Sequence, residues 1–149
     1  MTLTITMTDS PAPNVRGAIG APLGHFNDVR SGNFENSRPL AFILSTSRTE
    51  EIVGGLWADT GWGYLHIELL FVPESARGQG FGQTLLRQAE EEAARRGCHS
   101  VWLDTFSFQA RGFYETLGYS VFGSLADFPP GHSRFFLTKK LTPPAEPAA

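Results

Sequence analysis

The chain of 149 residues contains a single cysteine, Cys98, so an internal disulfide is excluded. Its formal net charge of −3 argues against a nucleic-acid-binding protein, because such proteins usually carry a basic face. No apolar run approaches the length of about 18 residues that spans a membrane. The first residues show no basic segment followed by an apolar core, so no secretory signal is expected. These absences favour a cytoplasmic protein with neither a membrane nor a nucleic-acid partner.

Residue types that bind metals are equally scarce. The four histidines are scattered and the cysteine stands alone, so the sequence predicts no metal site. Cys98 and its neighbour His99 would point to opposite faces of a strand, which separates the thiol from a basic partner. We therefore interpret Cys98 as a buried structural thiol and not as a nucleophile.

What the chain does contain is a globular composition, with 41% hydrophobic and 18% charged residues. A chain of this length predicts one domain, which we place at residues 1–141. The last residues, 142–149, are rich in proline and alanine, so we expect a flexible tail there.

Hydrophobic periodicity predicts the order of the elements. The expected strands are residues 3–7, 40–46, 51–57, 64–72, 100–106, 119–125 and 134–141. The expected helices are residues 80–96 and 109–117, with a broken helix around 15–28. Turns are expected at 47–50 and 59–63. The strand–helix–strand unit at 64–106 is expected to be the only crossover, so the pattern favours a mixed α/β (α+β) sheet with helices on its faces.

The most informative segment is the loop between the strand at 64–72 and the helix that follows. It supplies Arg77 and three alternating glycines, Gly78, Gly80 and Gly82. Glycine lets the backbone approach a ligand closely, and the first N–H groups of a helix attract anions. The forked donors of arginine suit phosphate oxygens. We therefore interpret this loop as a pyrophosphate-binding site.

Three phosphate-binding patterns compete for this loop. A Walker loop needs a lysine that is missing here. The dinucleotide pattern Gly-x-Gly-x-x-Gly has its third glycine one place early, although Asp104 lies where a ribose-binding acid would be expected. The third pattern, [Arg/Gln]-x-x-Gly-x-[Gly/Ala], is met by Arg77, Gly80 and Gly82.

A second pattern follows, Ala110-Arg-Gly-Phe-Tyr-Glu-Thr-Leu-Gly-Tyr119. The two motifs, in this order across residues 64–119, resemble those of GNAT-type N-acetyltransferases of a bacterial branch. The resemblance implies a mixed six- to seven-stranded twisted sheet with helices on both faces, and acetyl-CoA in a V between two central strands. It also implies direct transfer of an acetyl group to the amine of a small molecule or peptide. Proteins of this family often form homodimers.

The resemblance further implies which residues contact the cosubstrate. Backbone groups of Leu70, Phe71 and Val72 would bind the pantetheine arm, and one of their N–H groups would stabilise charge on the thioester oxygen. The pyrophosphate would be bound by the six loop residues Arg77, Gly78, Gln79, Gly80, Phe81 and Gly82. Many members of the family carry an asparagine that contacts the cofactor where this chain has Ser107, whose side chain reaches less far.

Acetyl transfer to an amine requires a base, because a lysine-like amine arrives protonated at neutral pH. Glu68, in an otherwise apolar strand, is the first candidate, and by alternation it is expected to share a face with His66 and Leu70. His66 is the second candidate. Tyr114, which by resemblance would lie near the thioester sulfur, is the candidate general acid. A structural role remains the alternative for each of them.

Two other functions stay open at this stage. One is a CoA-binding or sensing domain of the same fold without turnover; Glu68 and Tyr114 argue against it. The other is a nucleotide oxidoreductase, which is disfavoured because only about 45 residues follow Asp104. That length is too short for a second mononucleotide-binding half.

Overall fold

The computed structural model describes residues 1–144. Met1–Glu35 and the chain from Asn36 onward form two compact units, each described by itself below. The predicted tail at 142–149 lies largely outside the described residues, and residues 142–144 have no regular secondary structure.

The first unit contains one helix and no strand. The helix α1, Val15–Ser31, is continuous through Pro22, so the expected break around residues 15–28 is wrong. Gly32 ends it in the left-handed conformation and donates its N–H to the carbonyl of Asp28 at 2.9 Å. The predicted strand at residues 3–7 is also wrong, because alternation alone provides no partner strand for its backbone groups.

The second unit begins with three antiparallel strands: β1, Arg38–Ser45; β2, Ile52–Gly61; and β3, Tyr64–Phe71. The strand β2 continues further than expected, and the turn at 59–63 shrinks to Trp62 and Gly63. Both of these residues have positive φ, 49° and 82°, as a two-residue hairpin turn requires.

After β3 come a 3-10 turn, Glu74–Ala76, and the helix α2, Phe81–Arg95. The remaining elements are β4, Ser100–Phe106; α3, Arg111–Thr116; β5, Ser120–Ala126; and β6, Ser133–Lys140. The six strands form one sheet in the order β1-β2-β3-β4-β6-β5, in which only β3 and β4 are parallel neighbours among the described strands. The α/β class and the mixed sheet are therefore confirmed.

The expectation of a single crossover is wrong. The strands β4 and β5 are both antiparallel to β6, which lies between them, so they run in the same direction. Their connection through α3 is consequently a second crossover, and it passes over β6. Hydrophobic periodicity identifies strands and helices but does not reveal which strands become neighbours.

The core lies between the sheet and the helices α2 and α3. The helix α2 buries Leu85, Leu86, Ala89 and Ala93 against the sheet residues Leu56, Ala58, Leu65, Ile67, Val101, Leu103 and Leu137. Phe113 and Leu117 of α3 pack on the same cluster. Gly82 lets the two helices meet, since a Cβ there would come within 3.1 Å of the Phe113 ring. We call this the core face of the sheet, and the other side its outer face.

Hydrogen-bonded pairing between β3 and β4 is short. It runs from Tyr64 opposite Ser100 to Ile67 opposite Leu103 and then stops. At the same point β3 contains a bulge. Ala58 of β2 pairs with Ile67, and the next residue, Trp57, pairs with Leu69, so Glu68 is an extra residue without a partner in β2. A bulge bends its strand, so β3 and β4 part just beyond Ile67 and open the sheet.

The C-terminal end of α2 is joined to the edge of the sheet by Arg96. Its Nη1 donates to the carbonyl oxygens of Arg38 and Pro39, both at 3.2 Å, and to the hydroxyl of Thr60 at 3.1 Å. Its Nε donates to Glu92 at 3.1 Å, and this contact, followed by that of Arg95, lowers the pKa of Glu92.

Replacing Arg96 with methionine should destabilise the protein by about 2–3 kcal/mol, because it removes the donor that bonds the buried hydroxyl of Thr60. Arg95→Met is the matched control, since Arg95 pairs with the same Glu92 but is 61% exposed. Urea unfolding measures both variants. Equal losses for the two would show that the contacts of Arg96 with Thr60 and with β1 contribute nothing.

Candidate active site

An open cleft of about 1400 Å³ occupies the place where β3 and β4 part. One part of its wall is the end of β3, and another is the glycine loop with the first turn of α2. The opposite wall comes from β4, the segment that follows it and α3. The cleft therefore joins the two sequence motifs with the splayed strands, and it is the candidate active site.

The glycine loop has the geometry of an anion site. Gly78 and Gly80 have positive φ of 74° and 84°, and a Cβ on either would meet no atom within 4 Å, so space is open above both. Gly80 is the N-terminal capping residue of α2 and has no side chain to bond the first helical N–H groups. These donors, together with the helix dipole, suit the pyrophosphate of the cosubstrate.

The other loop residues divide into two groups. Arg77 lines the cleft, and its Nε donates to the carbonyl of Val72 at 3.1 Å, which holds the guanidinium beside the loop. Phe81 and Gly82 also line the cleft. Gln79 is not among the lining residues, and its amide donates to the carbonyl of Ser75 at 3.2 Å.

Leu70 and Phe71 at the end of β3, and Val72 directly after it, all line the cleft. Only one edge of this segment is paired, with Leu56 and Gly55 of β2, since β4 has already turned away. The other edge can therefore receive an extended arm of the cosubstrate in the manner of an added strand.

The bulge changes the face on which Glu68 lies. Leu70 packs toward the core with Leu65 and Ile67, so Glu68 does not share a face with Leu70, contrary to the expectation from strict alternation. Glu68 is exposed and lines the cleft on the outer face, at the point where pairing with β4 ends. This position leaves its carboxylate accessible to an incoming amine.

His66 lies one pleat away from Glu68 and is held from two sides. Its ring stacks on that of Trp102, with centroids 4.0 Å apart, and its Nδ1 lies 3.3 Å from a carboxylate oxygen of Asp59. Both rings line the cleft. Sequence analysis did not select Trp102 as a site residue. It alternates along β4 with buried residues, however, and this pattern indicates that its side chain lies on the outer face.

Tyr114 projects from α3 into the cleft and contacts Phe113 and Tyr119 edge to face. Burial, with a smaller contribution from the carboxylate of Asp104, raises the pKa of Tyr114 to about 12. The phenol therefore keeps its proton throughout the neutral range. A phenol with this pKa is a weaker acid than an ordinary thiol, whose pKa is about 8.5.

The outer-face part of the cleft contains an ion pair that the sequence did not reveal. Arg134 donates from Nε to Asp104 at 2.7 Å, and this pair joins β6 to β4 on the outer face. Arg134 directly precedes the two aromatic residues Phe135 and Phe136, and a charge beside such a pair is a signal that could have identified it.

Ser107, the predicted cofactor contact, does not line the cleft. Its hydroxyl accepts a hydrogen bond from the backbone N–H of Ser133 at 3.1 Å and lies 3.4 Å from Nδ1 of His132. Gln109 is the nearby polar residue that does line the cleft, and its side-chain oxygen accepts hydrogen bonds from Phe106 N and Thr105 Oγ1.

Within residues 1–144, no group of three or more His, Cys, Asp or Glu side chains is arranged to hold a metal ion. Nor do these residues form a helix that is both long and apolar enough to cross a membrane.

The sheet that opens beside a glycine-rich helix start agrees with the fold that the resemblance implied. The model of the acetyltransferase (GNAT) family matches residues 15–119, and the chain belongs to that family. The predicted resemblance, the acetyltransferase activity and acetyl-CoA as cosubstrate are thereby confirmed.

Individual relatives support the assignment of the chain to this family. The chain is 36% identical over 138 residues to acetyltransferase Atu2258 of Agrobacterium fabrum, covering 93% of this chain and 99% of that protein. It is 41% identical over 139 residues to the blasticidin-S acetyltransferase of Streptomyces morookaense, covering 91% and 94%. A crystal structure from Agrobacterium tumefaciens, also assigned to the acetyltransferases, superposes with a TM-score of 0.87 at 35% identity, covering 93% of this chain and all of that one.

Proposed function

We propose that this protein is an N-acetyltransferase that transfers the acetyl group of acetyl-CoA directly to the amine of a small molecule. One observation carries the proposal. The carboxylate of Glu68 lies at the point where β3 and β4 part, in the same cleft as the open first turn of α2. A proton acceptor and a phosphate-binding loop thus share one cleft, with the unpaired edge of β3 between them.

The chain's own residues suggest how the cosubstrate is oriented. The N–H groups of the first turn of α2 and the guanidinium of Arg77 bind the pyrophosphate. The free edge of Leu70, Phe71 and Val72 aligns the arm, and one backbone N–H there stabilises the charge that develops on the thioester oxygen. The thioester would then lie beside both Glu68 and Tyr114.

Glu68 accepts the proton of the incoming amine, directly or through one water. We do not assign Tyr114 the role of general acid, because its raised pKa makes complete proton transfer to the departing thiolate unfavourable. We therefore assign Tyr114 as a hydrogen-bond donor to the sulfur, which stabilises the thiolate without giving up its proton.

The acceptor is proposed to be a small molecule, since a relative that covers nearly the whole chain is named for acetylation of blasticidin S. Blasticidin S is therefore the first compound to assay. Release of free thiol from acetyl-CoA reports its turnover.

Binding of acetyl-CoA at the glycine loop is tested by Gly80→Ala, with Gly97→Ala as the matched control. Both glycines have positive φ, 84° and 87°, and a Cβ on either would meet no atom within 4 Å. The backbone strain is therefore alike, on the order of 1–2 kcal/mol. Only Gly80 precedes the open first turn of α2, so Gly80→Ala should weaken acetyl-CoA binding about tenfold or more by calorimetry.

The control separates binding from folding. Gly97→Ala should lower the melting temperature by a similar amount and keep the affinity of the unchanged protein. Equal affinity of both variants for acetyl-CoA would place the cosubstrate elsewhere. Normal binding without turnover of any amine would favour a CoA-sensing domain.

A further inference from the structure

Arg134 occupies an unusual position on the outer face of the sheet. It lines the cleft together with Glu68, and its guanidinium lies over three phenylalanine rings, with centroid distances of 5.3 Å to Phe106, 5.0 Å to Phe128 and 5.5 Å to Phe136. The rings restrict the side chain and keep water from part of it, so the charge is held in place before any ligand arrives.

The ion pair with Asp104 uses only part of the guanidinium. Asp104 accepts from Nε at 2.7 Å, and within residues 1–144 this is the hydrogen bond that the side chain of Arg134 makes. The edge formed by the two terminal nitrogens therefore has no partner in this part of the chain. That edge presents two parallel donors, which match the two oxygens of a carboxylate.

The two cations that line the cleft have separate surroundings. Arg77 is bonded to Val72 in the loop before α2, where the phosphates are proposed to bind. Arg134 lies on β6, beyond β4, and its Asp104 partner lies where β4 leaves β3. Arg134 is thus the cation of the acceptor side.

We propose that Arg134 binds a carboxylate of the acceptor, so that the substrate is an amine that also carries a carboxylate, as amino acids do. This inference rests on the proposed N-acetyltransferase function and specifies its substrate class. The amine lies at Glu68 on β3, and the carboxylate lies at the free edge of Arg134 across β4. Asp104 and the phenylalanine rings hold the guanidinium at the carboxylate end.

Local charge favours a single carboxylate over a phosphate. Glu68 and Asp104 lie on the same outer face as Arg134, and a doubly charged phosphate would meet their repulsion with one cation to offset it. A carboxylate matches the planar fork and carries one charge. The ammonium of the same molecule meets Glu68, so each charged end of the acceptor has a partner of opposite sign.

The test compares matched pairs of acceptors, L-phenylalanine with phenethylamine and L-arginine with agmatine, which differ only in the carboxylate. Loss of Arg134 also leaves Asp104 without its partner near Tyr114, and this lowers turnover of both members of a pair alike. The readout is therefore the ratio of kcat/KM for the amino acid to that for its decarboxylated amine. Arg134→Gln should reduce this ratio about tenfold or more.

Arg111→Gln is the control variant. Arg111 also pairs with a carboxylate, Glu115 at 2.7 Å, and lies over an aromatic ring, Phe135 at 4.4 Å, but it does not line the cleft. Its ratio should equal that of the unchanged protein. A ratio that Arg134→Gln leaves unchanged overturns the inference, whereas acetylation of phenethylamine or agmatine would still support the N-acetyltransferase function.

If the enzyme acetylates neither pair of compounds, ligand binding measured by thermal stabilisation tests the inference instead. With CoA bound, 3-phenylpropionate should raise the melting temperature of the unchanged protein, and 3-phenylpropanamide should not. Arg134→Gln should abolish the difference between the two compounds. If the carboxylate does not stabilise the unchanged protein, or stabilises Arg134→Gln equally, Arg134 is a structural residue only.

Discussion

Replacing Glu68 with glutamine is expected to lower kcat by about 10²-fold or more, with the affinity for acetyl-CoA nearly unchanged. Glutamine keeps the shape of the side chain but cannot accept a proton from the amine. Glu68 is exposed at the bulge and supports no core packing, so the melting temperature should change little. Steady-state kinetics across pH is the measurement, and the acidic limb of the kcat profile should flatten.

Glu74→Gln provides the control, because Glu74 is an exposed carboxylate of the segment after β3 that does not line the cleft. Its kinetics should be those of the unchanged protein. A Glu68→Gln variant with an unaltered pH profile would exclude Glu68 as the base. His66, held by Asp59 and Trp102, would then be tested in the same way by His66→Gln.

Replacing Tyr114 with phenylalanine is expected to lower kcat by about 10²-fold while acetyl-CoA still binds. The hydroxyl is lost but the packing of the ring remains. Because burial raises the pKa of Tyr114 to about 12, the phenol stays protonated below that pH. The kcat profile of the unchanged protein should accordingly show no limb from Tyr114 in the neutral and mildly alkaline range.

Tyr119→Phe removes a second buried phenol that lies outside the cleft. The Tyr119 hydroxyl donates to Glu90 at 2.7 Å, and burial, followed by the charge of Glu90, raises its pKa. This variant should lose about 2 kcal/mol of unfolding free energy and keep its turnover. If Tyr114→Phe instead retains turnover within about twofold and loses only stability, Tyr114 has a packing role alone.

The position of the glycine loop at the start of α2 could be predicted from the sequence, because its signal is local. Arg77, Gly78, Gly80 and Gly82 lie within six positions, and the positive φ of Gly78 and Gly80 is a property that glycine adopts readily. The start of α2 follows immediately, so its free N–H groups could be anticipated without knowledge of the remaining fold. The strand β4 was predicted with its observed bounds for a similar reason, since its alternation is uninterrupted.

Elsewhere local patterns were insufficient. A bulge has no reliable signal in one sequence, so strict alternation placed Glu68 on the same face as Leu70, whereas the extra residue in β3 separates them. The contact of Ser107 with the cofactor stays a prediction, but its backbone and hydroxyl are bonded to Ser133, the first residue of β6, 26 positions later. Hydrogen bonds over such separations depend on how strands are ordered in the sheet.

By itself, the sequence determined the family, the cosubstrate and the position of the glycine loop before α2, because these depend on residue types at fixed short spacings. The tertiary structure decided where β3 and β4 part, which face Glu68 occupies and which side chains line the cleft beside it. Arg134 illustrates the difference, since it meets Asp104 only because β6 is inserted between β4 and β5. Contacts between residues 30 positions apart arise from strand order and register, which no local period encodes.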